Sequence, residues 1–305
     1  MTSLQIREPA PAKVNLFLHL LGRRADGHHR LESLVAFADV HDVVELDVAP
    51  MSARAHESES VIVTGPFASA LHEALESGSR LTVETAYEIA RAAARPRCFQ
   101  VDVTLVKNLP VAAGLGGGSA DGAAALRGLA RAFELGWGEA ETREAALGIG
   151  ADAPACVASR PLMMRGIGEE IAPLALWPDL DVVLVNPGRP LMTASVFKAF
   201  AEQGRGFSAP HPPPPATRDP RQARAYLAGA RNDLHDAAAS LEPAVEEILA
   251  LLQGVDGARL ARLSGSGATC WAAFDDAPSA RRAADEVKRL RPAWWVEATR
   301  LQGTG

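Results

Sequence analysis

The sequence of 305 residues contains little cysteine and no long apolar segment. Its three cysteines, Cys98, Cys156 and Cys270, form no C-x-x-C pair, which excludes a disulfide framework and a zinc knuckle and favours a reducing compartment. The longest apolar runs, such as residues 182–185, are far shorter than the roughly 20 residues of a membrane-spanning helix. Residues 1–8 lack the apolar core of a signal peptide, so we expect a cytoplasmic protein.

Basic residues are fewer than acidic ones. The 31 Lys and Arg residues against 37 Asp and Glu residues give a net charge of −6, so no overall positive field attracts nucleic acid or an anionic membrane. We therefore expect small molecules as partners, no nucleic acid and no membrane. The length suits about two domains, and the sequence leaves open whether the protein is a monomer or a homodimer.

Hydrophobic periodicity predicts a mixture of strands and helices. Residues 13–21 alternate between apolar and polar, which predicts a half-buried strand with Lys13 and Asn15 on one face. The other predicted strands are 42–48, 61–64, 99–105, 181–185 and 295–301. The predicted helices are 81–93, 119–133, 139–147, 194–203 and 242–252. A change in composition near Arg160 predicts domains at 1–160 and 161–305.

Proline is concentrated in the segment 210–215, which reads Pro-His-Pro-Pro-Pro-Pro. Such a segment neither continues a helix nor joins a central strand. It predicts a surface loop, with an SH3-type ligand as the alternative.

The most informative segment is residues 110–120, Pro-Val-Ala-Ala-Gly-Leu-Gly-Gly-Gly-Ser-Ala, between a predicted strand and a predicted helix. Four glycines in five positions indicate positive φ angles or close backbone approach. Bare backbone N–H groups at a helix N-terminus bind anions, and the phosphates of a nucleotide are the usual ligand. A flexible turn is the alternative interpretation.

Two common phosphate loops do not match this segment. A P-loop requires Lys and then Ser or Thr after its last glycine, whereas Ser119 follows Gly118 directly. A dinucleotide fingerprint requires glycine where Ser119 stands. The segment instead resembles the central motif of the GHMP kinase superfamily.

Two further segments support this resemblance. Residues 11–18, Pro-Ala-Lys-Val-Asn-Leu-Phe-Leu, with residues 24–34, Arg-Ala-Asp-Gly-His-His-Arg-Leu-Glu-Ser-Leu, look like the first motif of one branch, the 4-diphosphocytidyl-2-C-methyl-D-erythritol kinases. Residues 263–270, Leu-Ser-Gly-Ser-Gly-Ala-Thr-Cys, look like the third motif of the superfamily. Residues 149–154, Ile-Gly-Ala-Asp-Ala-Pro, match the family as well.

The resemblance implies an α+β two-domain GHMP kinase fold, with an N-terminal domain like domain 2 of ribosomal protein S5 and a ferredoxin-like C-terminal domain. It implies transfer of the ATP γ-phosphoryl group to the 2-hydroxyl of 4-diphosphocytidyl-2-C-methyl-D-erythritol, in the non-mevalonate route to isoprenoid precursors. The rivals are a GHMP kinase for another small alcohol, such as homoserine or mevalonate, and a nucleotide-binding module without activity.

The resemblance also implies the catalytic residues. Asp152 matches the family base that receives the substrate hydroxyl proton, although a lone Asp in such a segment also fits a helix N-cap or a turn. Lys13 matches the cation that pairs with that base, and its alternative is a solvent-facing strand lysine.

ATP is expected to bind the glycine segment, with magnesium arriving on the nucleotide. Ser119 is the nearest candidate to assist the ion, and the sequence has no carboxylate cluster that would hold it, so we assign no metal ligands. Lys107 either reaches the nucleotide or is a solvated residue at a strand end. The candidate ATP-binding residues are Lys107, Pro110, Val111, Ala112, Ala113, Gly114, Leu115, Gly116, Gly117, Gly118, Ser119 and Ala120.

Substrate recognition is implied for five residues. Asn15 would orient the substrate hydroxyls, His29 matches the histidine that hydrogen-bonds cytosine, and Thr193 is expected to contact the diphosphate or the polyol. Phe197 matches an aromatic that stacks on the base, although a Phe on a helix is more often part of a core. The sequence departs from the family at His28, where Tyr is usual, and an imidazole stacks with less area and a pH-sensitive charge.

Overall fold

The computed structural model describes residues 3–51, 58–95 and 97–305. Contacts divide the chain into two compact units. Unit 1 contains Met1–Ala12, His41–Val111 and Gly117–Ala158; unit 2 contains Lys13–Val40, Ala112–Gly116 and Ser159–Gly305. The predicted domains 1–160 and 161–305 differ from these units at residues 13–40, 112–116 and 159–160. The difference at residues 13–40 arises because two long strands, β1 (Leu4–Arg23) and β2 (His29–Met51), each supply residues to both units.

The remaining elements follow in chain order. The strands are β3 (Ser58–Thr64), β4 (Cys98–Val106), β5 (Leu162–Arg165), β6 (Glu170–Pro173), β7 (Leu180–Asn186), β8 (Leu260–Leu263), β9 (Cys270–Phe274) and β10 (Trp295–Leu301). The helices are α1 (Ala68–Glu76), α2 (Thr82–Ala94), α3 (Gly117–Ala132), α4 (Glu139–Ala146), α5 (Ala153–Ala158), α6 (Thr193–Glu202), α7 (Pro220–Ala228), α8 (His235–Leu241), α9 (Ala244–Gly254) and α10 (Ala277–Leu290). Every strand and helix predicted from periodicity is present, with bounds that differ by a few residues or lie within a longer strand. The fold is α+β, as the sequence predicts.

In unit 1, β3 runs parallel to β4, and β4 runs antiparallel to the second half of β2. Helix α3 packs on α2 and α5, and most of its residues are small and buried. Alanine has the highest helix propensity and lets neighbouring helices approach closely. The ring of Phe133, just after α3, stacks on Phe99 of β4 with centroids 4.2 Å apart. This packing fixes the helix that follows the glycine-rich loop.

In unit 2, strands β7 to β10 form an antiparallel sheet in the order β10-β7-β9-β8. Helices α6 to α9 lie between β7 and β8 in the chain, and α10 lies between β9 and β10. This β-α-β-β-α-β succession is the ferredoxin-like arrangement. The core of unit 2 lies between this sheet and its helices, with Val183, Val196, Ile248 and Val287 among the fully buried side chains.

Between residues 12 and 20, strand β1 is buried on both faces, so the prediction that residues 13–21 form a half-buried strand is wrong. Residues 12–20 are all buried, including the polar positions Lys13, Asn15 and His19. Two of these side chains form hydrogen bonds inside the protein: the Asn15 amide donates to Ser33 Oγ, and His19 Nε2 accepts from the Arg231 N–H. Alternation of polarity identifies a strand, but the solvent side has to be inferred from tertiary packing.

The proline-rich segment 210–215 is a loop at the surface, as predicted. The Tyr226 hydroxyl donates to the Pro212 carbonyl at 2.7 Å, and the His211 N–H donates to Glu32 Oε1 at 2.8 Å. These bonds attach the loop to unit 2. Its use as an SH3-type ligand stays a prediction.

We predict that Phe133→Ala destabilises the protein by about 3–5 kcal/mol, because the change removes a fully buried ring and leaves a cavity against Phe99. Ile62→Ala, at an exposed position of the same unit, should change the free energy of unfolding by less than about 0.5 kcal/mol. Urea unfolding followed by circular dichroism measures both. Equal losses in the two variants would contradict the packing described for unit 1.

Candidate active site

The glycine-rich loop touches a second backbone segment within unit 2. Ala112, Gly114 and Gly116 have φ angles of 50°, 73° and 62°. A Cβ atom on Gly114 would lie 2.4 Å from the Ser264 carbonyl oxygen and 2.7 Å from the Gly267 nitrogen. Both the positive φ and the close backbone approach therefore require glycine at 114.

The second segment, residues 263–270, is held by side chains of unit 2. The Asn232 amide donates to the carbonyls of Leu263 and Gly265 at 3.0 and 2.8 Å. Ser264 Oγ donates to the Gly114 carbonyl at 2.8 Å and accepts from the Asn15 N–H at 3.1 Å. Ser264 thus joins the two loops to β1, while Ser266 Oγ lies 2.9 Å from Thr193 Oγ1 at the start of α6.

Lys13 and Asn15 share a face of β1, as predicted. Lys13 Nζ donates to Asn15 Oδ1 at 3.2 Å, and both side chains are buried. The alternative of a solvent-facing lysine is wrong. The alkyl chain of Lys13 lies over the glycine loop, since a Cβ on Gly116 would be 2.9 Å from Lys13 Cε. The Lys13 N–H also donates to the Leu115 carbonyl at 2.8 Å, which fixes the start of this face against the loop.

An aromatic cluster surrounds His29 at the start of β2. Its ring centroid lies 5.3 Å from Phe197, 5.7 Å from Phe200 and 6.2 Å from Phe207. Burial, and then the neighbouring Arg23 and His28, lower the pKa of His29 below its usual value. His29 is therefore a neutral imidazole at neutral pH, with one nitrogen that donates and one that accepts.

His28 lies outside this cluster. Its side chain is 64% exposed, with Nδ1 3.3 Å from Asp26 Oδ1. Among the described residues, Phe207 is an aromatic near His29 that sequence reasoning missed, although its place after Gly-Arg-Gly in a loop was a signal of an exposed ring. The predicted stacking of His28 on a base stays a prediction.

Asp152 belongs to unit 1, where it directly precedes α5. Its carbonyl accepts the Cys156 N–H at 3.2 Å, the first hydrogen bond of that helix. Arg127 of α3 donates to the Cys156 carbonyl at 3.0 Å and to Glu8 Oε2 at 3.0 Å, which ties α5 to α3 and β1. Asp152 thus directly precedes a helix that hydrogen bonds tie to α3 and β1, and both its role as the base and the N-cap alternative stay predictions.

Lys107 is buried, so the alternative of a solvated strand-end lysine is wrong. Its Nζ pairs with Asp42 Oδ2 and, at 2.7 Å, with Asp121 Oδ2. Burial acts to lower the pKa of Lys107, but the charges of Asp121 and Asp42 outweigh it and raise the pKa. Lys107 is therefore fully charged at neutral pH, and its contact with a nucleotide stays a prediction.

Elsewhere in unit 2, three side chains of the types that bind metal ions lie close together. Among the described residues, His235, Asp236 and Glu246 bring ligand atoms within 4.8 Å of one another. Glu246 already pairs with His235 at 2.7 Å, and Asp236 pairs with Arg205. Sequence reasoning missed this group because Glu246 lies on a different helix from His235 and Asp236.

Comparisons with known proteins identify the family. The GHMP kinases N terminal domain matches residues 80–160, and the GHMP kinases C terminal domain matches residues 216–292. A 4-diphosphocytidyl-2-C-methyl-D-erythritol kinase of Chelativorans sp. (strain BNC1) is 42% identical over 97% of this chain and 96% of that protein. One of Paracoccus denitrificans (strain Pd 1222) is 45% identical over 98% and 97%. The chain belongs to the 4-diphosphocytidyl-2-C-methyl-D-erythritol kinase family of the GHMP kinases.

A solved structure agrees with this family. A crystal structure of a 4-(cytidine 5'-diphospho)-2C-methyl-D-erythritol kinase matches with a TM-score of 0.73 and 29% identity, covering 98% of this chain and 100% of that one. The protein is thus a GHMP kinase, a phosphotransferase that uses ATP, with the two-domain fold of that superfamily. No helix in the described ranges has the length and apolar character needed to span a bilayer.

We predict that Gly114→Ala lowers the Tm of this GHMP kinase by at least about 3 °C, because a Cβ at a positive φ meets backbone atoms that cannot move away. Gly118→Ala is the matched control, since its Cβ would meet only Thr82 Cγ2 at 3.9 Å. Its Tm should stay within about 1 °C of the parent value. Differential scanning calorimetry compares them, and an unchanged Tm for Gly114→Ala would contradict the close approach of the two loops.

Proposed function

We propose that this kinase transfers the γ-phosphoryl group of ATP to the 2-hydroxyl of 4-diphosphocytidyl-2-C-methyl-D-erythritol, giving the 2-phosphate and ADP. The observation that carries the proposal is the neutral His29 imidazole packed on Phe197, in a relative of enzymes named for this substrate. The reaction belongs to the methylerythritol phosphate route to isoprenoid precursors. The sequence has only three cysteines and no C-x-x-C pair, which favours a reducing compartment, and we propose a cytoplasmic location.

The triphosphate of ATP binds, in this proposal, to the glycine-rich loop and the start of α3. Glycines at 114, 116, 117 and 118 leave backbone N–H groups uncovered, and α3 begins at Gly117. The positive end of the helix dipole favours an anion at that position. The candidate residues 110–120 therefore act mainly through their backbone.

Magnesium accompanies the nucleotide in this proposal. Mg²⁺ keeps several water and phosphate ligands, so one hydroxyl such as that of Ser119 in the first turn of α3 fits it without a carboxylate cage. The ion would neutralise charge on the β- and γ-phosphates. The residues of the chain then have to orient the acceptor and receive its proton.

Phosphoryl transfer needs an aligned hydroxyl, an acceptor for its proton and positive charge near the moving group. We assign Asp152 as the residue that receives the proton of the substrate hydroxyl. It directly precedes α5, which Arg127 ties to α3. Lys13 supplies the charge, and Asn15 orients the substrate hydroxyls together with Lys13. The buried Asn15–Ser33 hydrogen bond of 2.8 Å keeps the Asn15 amide in one orientation.

Recognition of the cytidyl group uses His29 and the rings beside it. A neutral imidazole offers one donor and one acceptor, which suits the edge of cytosine better than a protonated ring would. Phe197 is half-buried and offers a face for stacking. Thr193, hydrogen-bonded to Ser266, contacts the diphosphate or the polyol in this proposal.

The proposal is tested by ADP release from the purified protein with Mg-ATP and one of three alcohols. We expect turnover with 4-diphosphocytidyl-2-C-methyl-D-erythritol at a kcat/KM at least about 100-fold above those for mevalonate and homoserine. Preference for mevalonate or homoserine would keep the kinase assignment and rule out the proposed substrate. No turnover with any of them, while ATP binds, would favour the nucleotide-binding module without activity.

We predict that Asp152→Asn lowers kcat by at least about 100-fold and leaves the Kd of ATP within about threefold of the parent value, because the change removes the proton acceptor and keeps the side-chain shape. Asp102→Asn, an exposed carboxylate of the same unit, is the matched control. Single-turnover kinetics and calorimetry measure the two quantities. A kcat near the parent value in Asp152→Asn would rule out this residue as the base.

We predict that the double variant Lys13→Met with Asp152→Asn is hardly slower than the slower single variant, because groups that act in one step lose rate non-additively. The measurement is kcat for both single variants and the double variant under saturating substrates. Additive losses would indicate that the two side chains act independently.

A further inference from the structure

In unit 2, side chains from a distant part of the chain bond to the main chain of β1 around Asn15. Ser264 Oγ accepts the Asn15 N–H at 3.1 Å, and Trp271 Nε1 donates to the Asn15 carbonyl at 3.2 Å. Arg262 Nη1 donates to the next carbonyl along β1, that of Leu16, at 2.6 Å. Side chains of β8, β9 and the loop between them therefore bond to three successive peptide groups of β1.

Arg262 differs from the other two side chains because it carries a charge. It is only 8% exposed, and in the described ranges its guanidinium bonds to carbonyls and to no carboxylate. Burial lowers the pKa of Arg262 to about 10, so the group stays charged at neutral pH. A buried charge is costly unless hydrogen bonds compensate it, so the carbonyls around Arg262 have to stay in place.

Two of these carbonyls belong to the end of α7. Arg262 Nη2 donates to the carbonyls of Leu227 and Ala230 at 2.9 and 2.6 Å, and α7 ends at Ala228. The last carbonyls of a helix lack partners within the helix and form the negative end of its dipole, which stabilises a cation. The planar guanidinium therefore joins this helix end to β1, with one nitrogen on each side.

The segment after α7 also contacts β1 through its main chain. The Leu18 N–H donates to the Arg231 carbonyl at 3.0 Å, and the Asp233 N–H donates to the Leu18 carbonyl at 2.8 Å. Arg262 links Ala230 to Leu16, so it extends this contact by two residues along β1. The attachment of β1 to the segment after α7 thereby reaches the residue next to Asn15.

We propose that Arg262 is a positioning residue, which holds β1 at Leu16 and so keeps Asn15 and Lys13 in one orientation for the reaction. The inference rests on the proposed function, because it takes Asn15 and Lys13 as residues that act on the acceptor and on the moving phosphoryl group. Lys13 Nζ donates to Asn15 Oδ1 at 3.2 Å, so a shift of Asn15 also moves the partner of this ammonium. A displacement of about 1 Å in such groups can cost about 100-fold in rate.

The test is kcat of Arg262→Lys with saturating substrates. Lysine keeps the charge, but one ammonium nitrogen replaces a planar fork, so the attachment to β1 or to the end of α7 is lost. We expect kcat to fall at least about tenfold, while the Kd of a non-hydrolysable Mg-ATP analogue stays within about threefold of the parent value.

Arg224→Lys is the matched control for this measurement. The Arg224 side chain is 11% exposed, donates to the Phe274 carbonyl and pairs with Asp275 in the same unit. It bonds to no residue of the candidate site, so its variant should keep the parent kcat. A parent-like kcat in Arg262→Lys, or an equal loss in Arg224→Lys, would overturn the inference.

A double-variant cycle separates positioning from a general loss of stability. Arg262 acts through Asn15 in this proposal, so its replacement should cost little once the Asn15 side chain is gone. We expect kcat of Asn15→Ala with Arg262→Lys to be at most about threefold below that of Asn15→Ala alone. Losses that multiply would overturn the inference, because Arg262 would then act independently of Asn15.

Hydrogen exchange separates this inference from the proposed function. If the parent protein shows no turnover with the cytidyl substrate, the proposed function fails, and the amides of residues 15–18 then decide the role of Arg262. We expect them to exchange at least about tenfold faster in Arg262→Lys than in the parent protein, with the amides of α10 unchanged. Equal rates at residues 15–18, or the same acceleration in α10, would overturn the inference.

A second variant covers the case in which Arg262→Lys does not fold. Arg262→Gln buries no charge and replaces it in every measurement, with the same expected results. If neither variant folds, exchange in the parent protein decides. The amides of residues 15–18 then have to be as protected as those of β7, and faster exchange would overturn the inference.

Discussion

The close approach of two backbone segments at Gly114 is the constraint on which the candidate site of unit 2 depends. The glycine loop meets residues 264–267 at distances that exclude a Cβ, so only glycine fits at position 114. Ser264 then links this contact to Asn15, whose amide holds Lys13. The glycine loop and the face of β1 that carries Lys13 and Asn15 are therefore parts of one hydrogen-bonded arrangement.

Much of the fold is predictable where local pattern and tertiary burial agree. Strands β7 and β10 and helices α2 and α3 follow from periodicity. Helix α10 was not predicted, although it carries two signals. The Asp276 side chain accepts the Ser279 N–H as the N-cap of the helix, and the buried residues form a stripe, Ala280, Ala283, Ala284 and Val287. Alanine contributes little hydrophobic contrast, so such a face is hard to recognise before its partners are known.

The residues of the candidate site also fall into those that local pattern predicts and those that depend on tertiary contacts. Motif residues are contiguous in the chain, so their identity is readable, and Lys13 shares a face with Asn15 because a strand has a period of two. Burial of Lys107 depends on Asp42, which is 65 residues away along the chain. The aromatic cluster likewise joins His29 to Phe207, which is far from it along the chain. Long-range pairs of this kind are specified by topology, which local pattern does not contain.

The measurement that tests the central claim most directly is the position of the new phosphate in the product. Product formed from 4-diphosphocytidyl-2-C-methyl-D-erythritol and ATP can be examined by phosphorus NMR with coupling to carbon. The account predicts one new phosphomonoester on the quaternary C2 carbon, with ADP released in equal amount. A phosphate on a primary or secondary hydroxyl, or no new monoester beside released ADP, would contradict it.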